Sequence, residues 1–156
     1  MKIYLVRHGA AVPEEEAGSD RDRWLSSRGR EEARVLAKLL REQQVELDAI
    51  LCSPLPRAVQ TAELVAHALD YIGTISSRRF LEPGAHPRIA ATEVQAAGLS
   101  VLVVSHEPTI SNLGAFIMGL PAFPPFRTAQ CCALDDRKPT WTARPDLDRV
   151  ETYFVE

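Results

Sequence analysis

Two arginines and two histidines stand just beyond apolar, strand-like runs of this chain, where their chemistry can be pooled. Arg7 and His8 follow Ile3–Val6 and precede Gly9; Arg57 follows Leu47–Leu51 and the Ser53-Pro54 turn; His106 follows Leu99–Val104. If these runs are neighbouring parallel strands, all four groups meet at one sheet edge, where open α/β folds hold ligands. Such a cluster describes a pocket for a doubly charged oxyanion, most simply a phosphoryl group. The planar guanidinium fork donates paired hydrogen bonds to phosphate oxygens, and neutral imidazole is a competent nucleophile near pH 7. The chain has neither a Walker loop nor a dinucleotide fingerprint, so side chains must form the cradle. Arg57 falls in the first turn of a helix, where the dipole disfavours a cation; a bound anion would satisfy both the guanidinium and the exposed amides.

Other residues near these strand ends have quieter expectations. Ser53 and Ser105 serve the site or cap helices, and Thr109 bonds within its helix or touches a ligand. His67 and His86 read as unremarkable. Cys52 sits beside the site without the arginine-cradled loop of a cysteine phosphatase, which favours a structural role.

The elements that must position the cluster follow from periodicity. Ala33, Leu36, Ala37 and Leu40 share one face of a helix over Arg28–Gln43, entered at Ser26 or Ser27, with Glu31, Glu32, Arg34, Lys38 and Arg41 on its wet side. Pro56 opens a second helix running to about Ala68, with Val59, Ala62, Ala66 and Leu69 inward. Arg78–Pro83 reads as extended, Ile89–Ala97 as a modest helix closed by Gly98, and Leu99–Val104 as a central strand covered on both faces. A helix ends at Met118 before Gly119, and Phe123–Phe126 is a proline-aromatic loop. Ala129–Leu134, Trp141–Arg144 and Arg149–Val155 read as late strands. Ala11–Arg23 shows no periodicity and reads as a loop bordering the pocket and moving more than the core. Arg127 and Thr128 fall near the same rim. The order implies a single three-layer α/β/α domain with a mostly parallel central sheet, spanning 1–156.

Composition narrows the function. With 156 residues, 25% charged and 46% hydrophobic, the chain is an ordinary one-domain globular sequence. Its net charge of −3 offers no broad attraction to nucleic acid or an anionic membrane. No apolar run approaches the roughly 18 residues of a membrane span, and Arg7 and His8 interrupt any leader-like start. Three cysteines, two of them adjacent, suggest no disulfide framework and make the cytoplasm the default compartment.

LVRHG, SPLPRAVQTAE and VVSHEP, in this order and spacing, resemble the histidine phosphatase superfamily, also called the phosphoglycerate mutase-like fold. The small size, LSSRG, FLEPG and PPFRTA look most like its bacterial phosphohistidine phosphatase branch, and the likeness covers essentially the whole chain. It implies that His8 is a nucleophile that becomes transiently phosphorylated. Arg7, Arg57 and His106 would hold the phosphoryl oxygens, and Glu82 of FLEPG would be the acid-base group. No metal or other cofactor is required by this scheme, and no H-E-x-x-H spacing is present. The short intervals between these motifs leave little material for a lid, and the pattern that follows RHG in the mutases is missing. An open site suits phosphohistidine on a partner protein, such as a phosphotransfer domain or phosphocarrier. The alternatives are a small sugar or nucleotide phosphomonoester, and a non-catalytic phosphate or phosphoprotein binding module. Nothing in the scheme demands assembly, so a monomer suffices.

Overall fold

Alternation along each strand sorts its side chains between two helical layers. The computed structural model describes residues 1–153. Its sheet is built from β1 (Lys2–Arg7), β2 (Ala49–Cys52), β3 (Ile75–Ser77), β4 (Ser100–Ser105), β5 (Cys131–Asp135), β6 (Lys138–Arg144) and β7 (Arg149–Thr152). The helices are α1 (Glu14–Ala17), α2 (Ser27–Glu42), α3 (Pro56–Ala68), α4 (Pro87–Ala96) and α5 (Thr109–Met118). Tyr4, Val6, Ile50, Cys52, Leu102 and Val104 pack with Leu36, Leu40, Ala62 and Val65 of α2 and α3. Their sequence neighbours Ile3, Leu5, Leu51, Val101 and Val103 face Ala91 and Val94 of α4 and Ile110 and Leu113 of α5. Each fully buried aliphatic side chain contributes about 1.5–3 kcal/mol by leaving water, so this two-sided sorting fixes the register. Cys131 and Cys132 fall into opposite layers by the same alternation.

The strand order is β3-β2-β4-β1-β5-β6-β7. The first four are parallel, and β5, β6 and β7 extend the sheet antiparallel. β4 lies between β1 and β2. Those two strands lead to α2 and α3 on one face, whereas β4 leads to α5 on the other. Connections that part in this way open a crevice beyond the carboxyl ends of the strands. Register aligns those ends, with Arg7 opposite Ser105 and Cys52 opposite Val104.

The structure departs from the sequence expectations at several boundaries. Within Ala11–Arg23 it forms a one-turn helix, α1, too short for periodicity to reveal; three glutamates favour its N-terminus, and Gly18, with φ of 88°, closes it. The extended segment falls earlier than expected. β3 is Ile75–Ser77, and Arg79–Leu81 of the expected strand is a 3-10 turn that buries Leu81. The second strand starts at Ala49, because the Asp48 carboxylate accepts the Leu99 and Ser100 amides, each at 3.0 Å, and closes the ladder there. β6 begins at Lys138 rather than Trp141, and its Pro139 is accommodated where the β5–β6 register shifts between Ala133 and Leu134. β7 ends at Thr152; the expected continuation through Phe154 and Val155 lies outside the described residues. Among the described residues no helix is long and apolar enough to cross a membrane.

Candidate active site

The aligned strand ends bring all four expected groups together. Arg7, His8, Arg57 and His106 line a cleft of about 400 Å³, joined by Ala10, Ala11, Asp20, Arg23, Pro83, Glu107 and Thr128. The His8 amide bonds the Ser105 carbonyl at 3.0 Å, tying β1's exit to β4's, and the two imidazole rings stand 5.1 Å apart, centre to centre. Gly9 serves close approach rather than a positive φ, since a Cβ there would lie 2.6 Å from the Gly29 carbonyl oxygen. Gly29 has the reciprocal need: its own Cβ would fall 1.8 Å from the Ala10 carbonyl oxygen.

Each member of the cluster is fixed by a bond that leaves another atom unoccupied. His8 Nδ1 lies 2.6 Å from the Gly9 carbonyl, which requires the proton on Nδ1 and leaves the lone pair on Nε2. Arg7 donates through one terminal nitrogen to the Phe126 carbonyl at 2.8 Å. Ser53 Oγ accepts the Leu55 amide and sits 2.7 Å from His106 Nε2; in the tautomer whose Nε2 accepts the Ser53 hydroxyl, the His106 proton rests on Nδ1. Among the described residues Arg7 Nε and Arg57 Nε are buried donors without partners, and His106 Nδ1 is a buried nitrogen without one, a third donor in that tautomer. Buried N–H groups are seldom left unpaired, and two guanidinium N–H groups beside an unpartnered imidazole nitrogen in one cleft call for an anionic acceptor.

Burial holds the histidines neutral. His8 is lowered to about 4, by desolvation foremost, with Arg57, Arg7 and Arg23 adding to it against the opposing Gly9 hydrogen bond. His106 is lowered to about 3, again mainly by burial and then by His8 and Arg57. Two consequences share one sign. In kcat/KM the acid limb is expected below about pH 5, not near the ordinary imidazole value of about 6.5, after correction for the substrate's own titration. Between about pH 6.5 and 4 the unfolded chain binds more protons than the native one, so this part of folding stability is full above pH 6.5 and drains as pH falls. Urea unfolding from pH 7.5 to 5 checks it: a profile that steepens no more for the wild type than for His8→Ala would contradict the assignment. Burial pushes the Cys52 thiol up to about 11, which fits its expected structural role.

Several supporting residues were not expected from the sequence. Thr61 Oγ1 accepts the Gly9 amide at 3.1 Å and donates to the Arg57 carbonyl at 2.8 Å, joining α3 to the β1 exit. Glu32, expected on the wet face of α2, instead accepts the Ala10 amide and the Thr128 hydroxyl, both at 2.8 Å. Thr128 thus lines the cleft, whereas Arg127 turns toward Asp146 at 3.7 Å. Ser105 Oγ donates to the Leu81 carbonyl at 2.7 Å and Thr109 Oγ1 accepts the Gly84 amide at 3.0 Å, so both anchor the 79–84 segment. His86 caps α4 by accepting the Arg88 amide. Glu82 meets Arg21 at 3.1 Å; its neighbour Pro83, and not Glu82 itself, is among the residues lining the cleft.

The 11–23 segment borders the cleft through Ala11, Asp20 and Arg23, while Glu14, Glu15 and Glu16 are exposed. Arg57 donates to the Asp20 carbonyl at 2.7 Å and meets Asp20 Oδ2 at 3.4 Å, and Arg23 holds Oδ1 at 3.1 Å. The Asp20 carboxylate therefore competes with an incoming anion for both guanidinium groups. The Asp20 side of both ion pairs is exposed; at about 0.2–1 kcal/mol for such pairs, Asp20→Asn is expected to tighten inhibition by inorganic phosphate about 1.5- to fivefold. An unchanged or weakened inhibition constant would contradict the competition.

The family model of the histidine phosphatase superfamily (branch 1) matches residues 3–85. The chain is 33% identical over 133 residues to the phosphohistidine phosphatase SixA of Escherichia coli K12, covering 83% of this chain and 81% of that protein. The chain belongs to the histidine phosphatase superfamily, in its small SixA-like branch. A solved protein histidine phosphatase SixA complexed with tungstate superposes with a TM-score of 0.86 at 30% identity, over 96% of this chain and all of that one. An alpha-ribazole phosphatase from Shigella flexneri, at 22% identity and a TM-score of 0.68 over 90% of this chain and 94% of its own, shares the fold. The three-layer architecture expected from the sequence is thus the architecture of this histidine phosphatase, and its cleft occupies the expected sheet edge.

Proposed function

We propose that this histidine phosphatase removes the phosphoryl group from phosphohistidine on a partner protein, using His8 as nucleophile and a phosphohistidine enzyme intermediate. The observation that carries the reading is the set of unpartnered buried nitrogens among the described residues, Arg7 Nε, Arg57 Nε and His106 Nδ1, around a neutral His8. In the first step His8 Nε2 forms a bond to phosphorus as the substrate P–N bond breaks, and its electron pair stays on the leaving imidazole. Protonated on its distal nitrogen, that ring departs neutral. The charge spread over the phosphoryl oxygens meets donors already in place. In the second step water attacks phosphorus, the pair returns to His8 Nε2, and dihydrogen phosphate leaves with both water protons. Glu82 would donate a proton to a poor alcohol leaving group once released from Arg21; an imidazole that arrives protonated needs it less.

The E. coli relative is named for phosphohistidine, and the similar structure is complexed with tungstate, a tetrahedral dianion. Both support the substrate class. A cytoplasmic setting, where Cys52, Cys131 and Cys132 stay thiols, belongs to the same reading, as does action by a single chain without nucleic acid, membrane or cofactor. Phosphate release from a phosphohistidine-bearing protein, set against a panel of sugar and nucleotide monophosphates, tests it. Turnover is expected to be highest on the protein and to depend on His8; a small ester hydrolysed with higher kcat/KM would overturn the substrate assignment.

A further inference from the structure

The cleft contains one buried polar atom that this mechanism has not used. Among the described residues, four buried side-chain atoms lack a hydrogen-bond partner, and all belong to residues lining this cleft: Arg7 Nε, Arg57 Nε, His106 Nδ1 and Glu107 Oε1. The two guanidinium nitrogens are donors, as is His106 Nδ1 in the tautomer whose Nε2 accepts from Ser53, and a phosphoryl group answers them. The fourth is an acceptor, which the unprotonated oxygens of a phosphoryl dianion cannot answer. A ligand that completes the set must therefore bring a hydrogen-bond donor next to its phosphoryl group.

Glu107 is built to meet such a donor. It directly follows His106, one of the phosphoryl-holding groups, at the entrance to α5. Its Oε2 accepts the buried Ser111 hydroxyl at 2.8 Å, nearer than the Pro108 carbonyl at 3.2 Å, and Oε1 is left without a partner among the described residues. A buried carboxylate oxygen is disfavoured unless something donates to it. An alkyl or aryl phosphate ester carries no hydrogen on its leaving oxygen before bond cleavage. Phosphoimidazole protonated at its distal nitrogen carries an N–H on the leaving ring itself. We infer that Glu107 Oε1 accepts this N–H of the leaving imidazole, so that Glu107 selects phosphohistidine over phosphate esters, with Ser111 as its positioning residue. The hydrogen bond holds the proton on the distal nitrogen while the P–N bond breaks, and the ring leaves neutral with that proton; no proton passes to Glu107.

This inference rests on the phosphohistidine reading, and its test separates the two. kcat/KM is measured for phosphoimidazole, p-nitrophenyl phosphate and an alkyl phosphate in the wild type, Glu107→Gln, Glu107→Ala and Ser111→Ala. Hydrogen bonds to charged groups are the strong class, so Glu107→Gln and Glu107→Ala are expected to lose roughly 10- to 100-fold on phosphoimidazole and little on p-nitrophenyl phosphate, whose leaving group needs no proton. Ser111→Ala is expected to move the same ratio in the same direction by a smaller factor, a change that a merely structural role would not produce. Equal losses on phosphoimidazole and p-nitrophenyl phosphate would remove the selective role of Glu107 while leaving the phosphohistidine reading in place. A loss confined to the alkyl phosphate would make Glu107 a proton donor and overturn the inference. If the wild type hydrolyses p-nitrophenyl phosphate through His8 but leaves phosphoimidazole intact, the phosphohistidine reading fails, and this role fails with it.

Discussion

Replacing His8 by alanine is expected to lower turnover by at least about 10⁴-fold on every phosphorylated substrate, because it removes the atom that accepts the phosphoryl group. The arginines and His106 would still bind phosphate, so inhibition by inorganic phosphate should persist in the variant while catalysis is lost. This separates a lost nucleophile from a collapsed site. The fold should survive the change near neutral pH: His8 is buried and neutral there, and the side chain gives up one bond to its neighbour's carbonyl. Activity in His8→Ala within tenfold of the wild type, in protein with an unchanged unfolding transition, would exclude His8 as the nucleophile.

The second large effect is expected at Arg57. Lysine there keeps a positive charge but loses the planar fork and the extra reach, so Arg57→Lys should lower kcat/KM by about 10²- to 10³-fold, the range for losing one preorganised oxyanion donor. Arg57 is 4% exposed, and among the described residues its side-chain partners are the carbonyl and carboxylate of Asp20 on the bordering segment. Its Nε has none. The guanidinium is thus held by the scaffold of α3 and by a contact that a dianion displaces, which gives Arg57→Lys and Asp20→Asn opposite signs in phosphate inhibition. An Arg57→Lys enzyme within tenfold of the wild type would show that charge alone suffices and that the bidentate geometry is not used.

How far the site could be read in advance depended on the range of each signal. Arg7, His8, Arg57 and His106 were legible because each follows an apolar run or opens a proline-led helix after one, and a parallel sheet brings such positions together from anywhere in the chain. Thr61 and Glu32 carry no such mark: one lies on a helix face and the other looked solvated. Their roles arise only because Gly9 and Gly29 let the β1 exit press against α2. Asp20 and Arg23 lay in a segment without periodicity, where side-chain direction is set by tertiary contacts. Glu107 stood in plain view beside His106, yet its meaning depends on which of its oxygens is bonded, a fact of packing. Glu82 illustrates the converse, since its place in FLEPG was readable but its bond to Arg21 was not. The late strands were legible as strands. Their antiparallel pairing was not, because the pattern of apolar and polar residues along a strand reads the same in either direction.

The central claim is that the phosphoryl group passes through His8. Rapid quenching of the wild-type enzyme during turnover of phosphoimidazole, followed by alkaline digestion and mass spectrometry, tests it most directly. One phosphoryl group per chain is predicted on the peptide containing His8, stable in base, lost in acid and absent from His8→Ala. Full turnover with no phosphoryl group on His8 under quench times shorter than one catalytic cycle, or with the label on His106 or a carboxylate, would contradict the account.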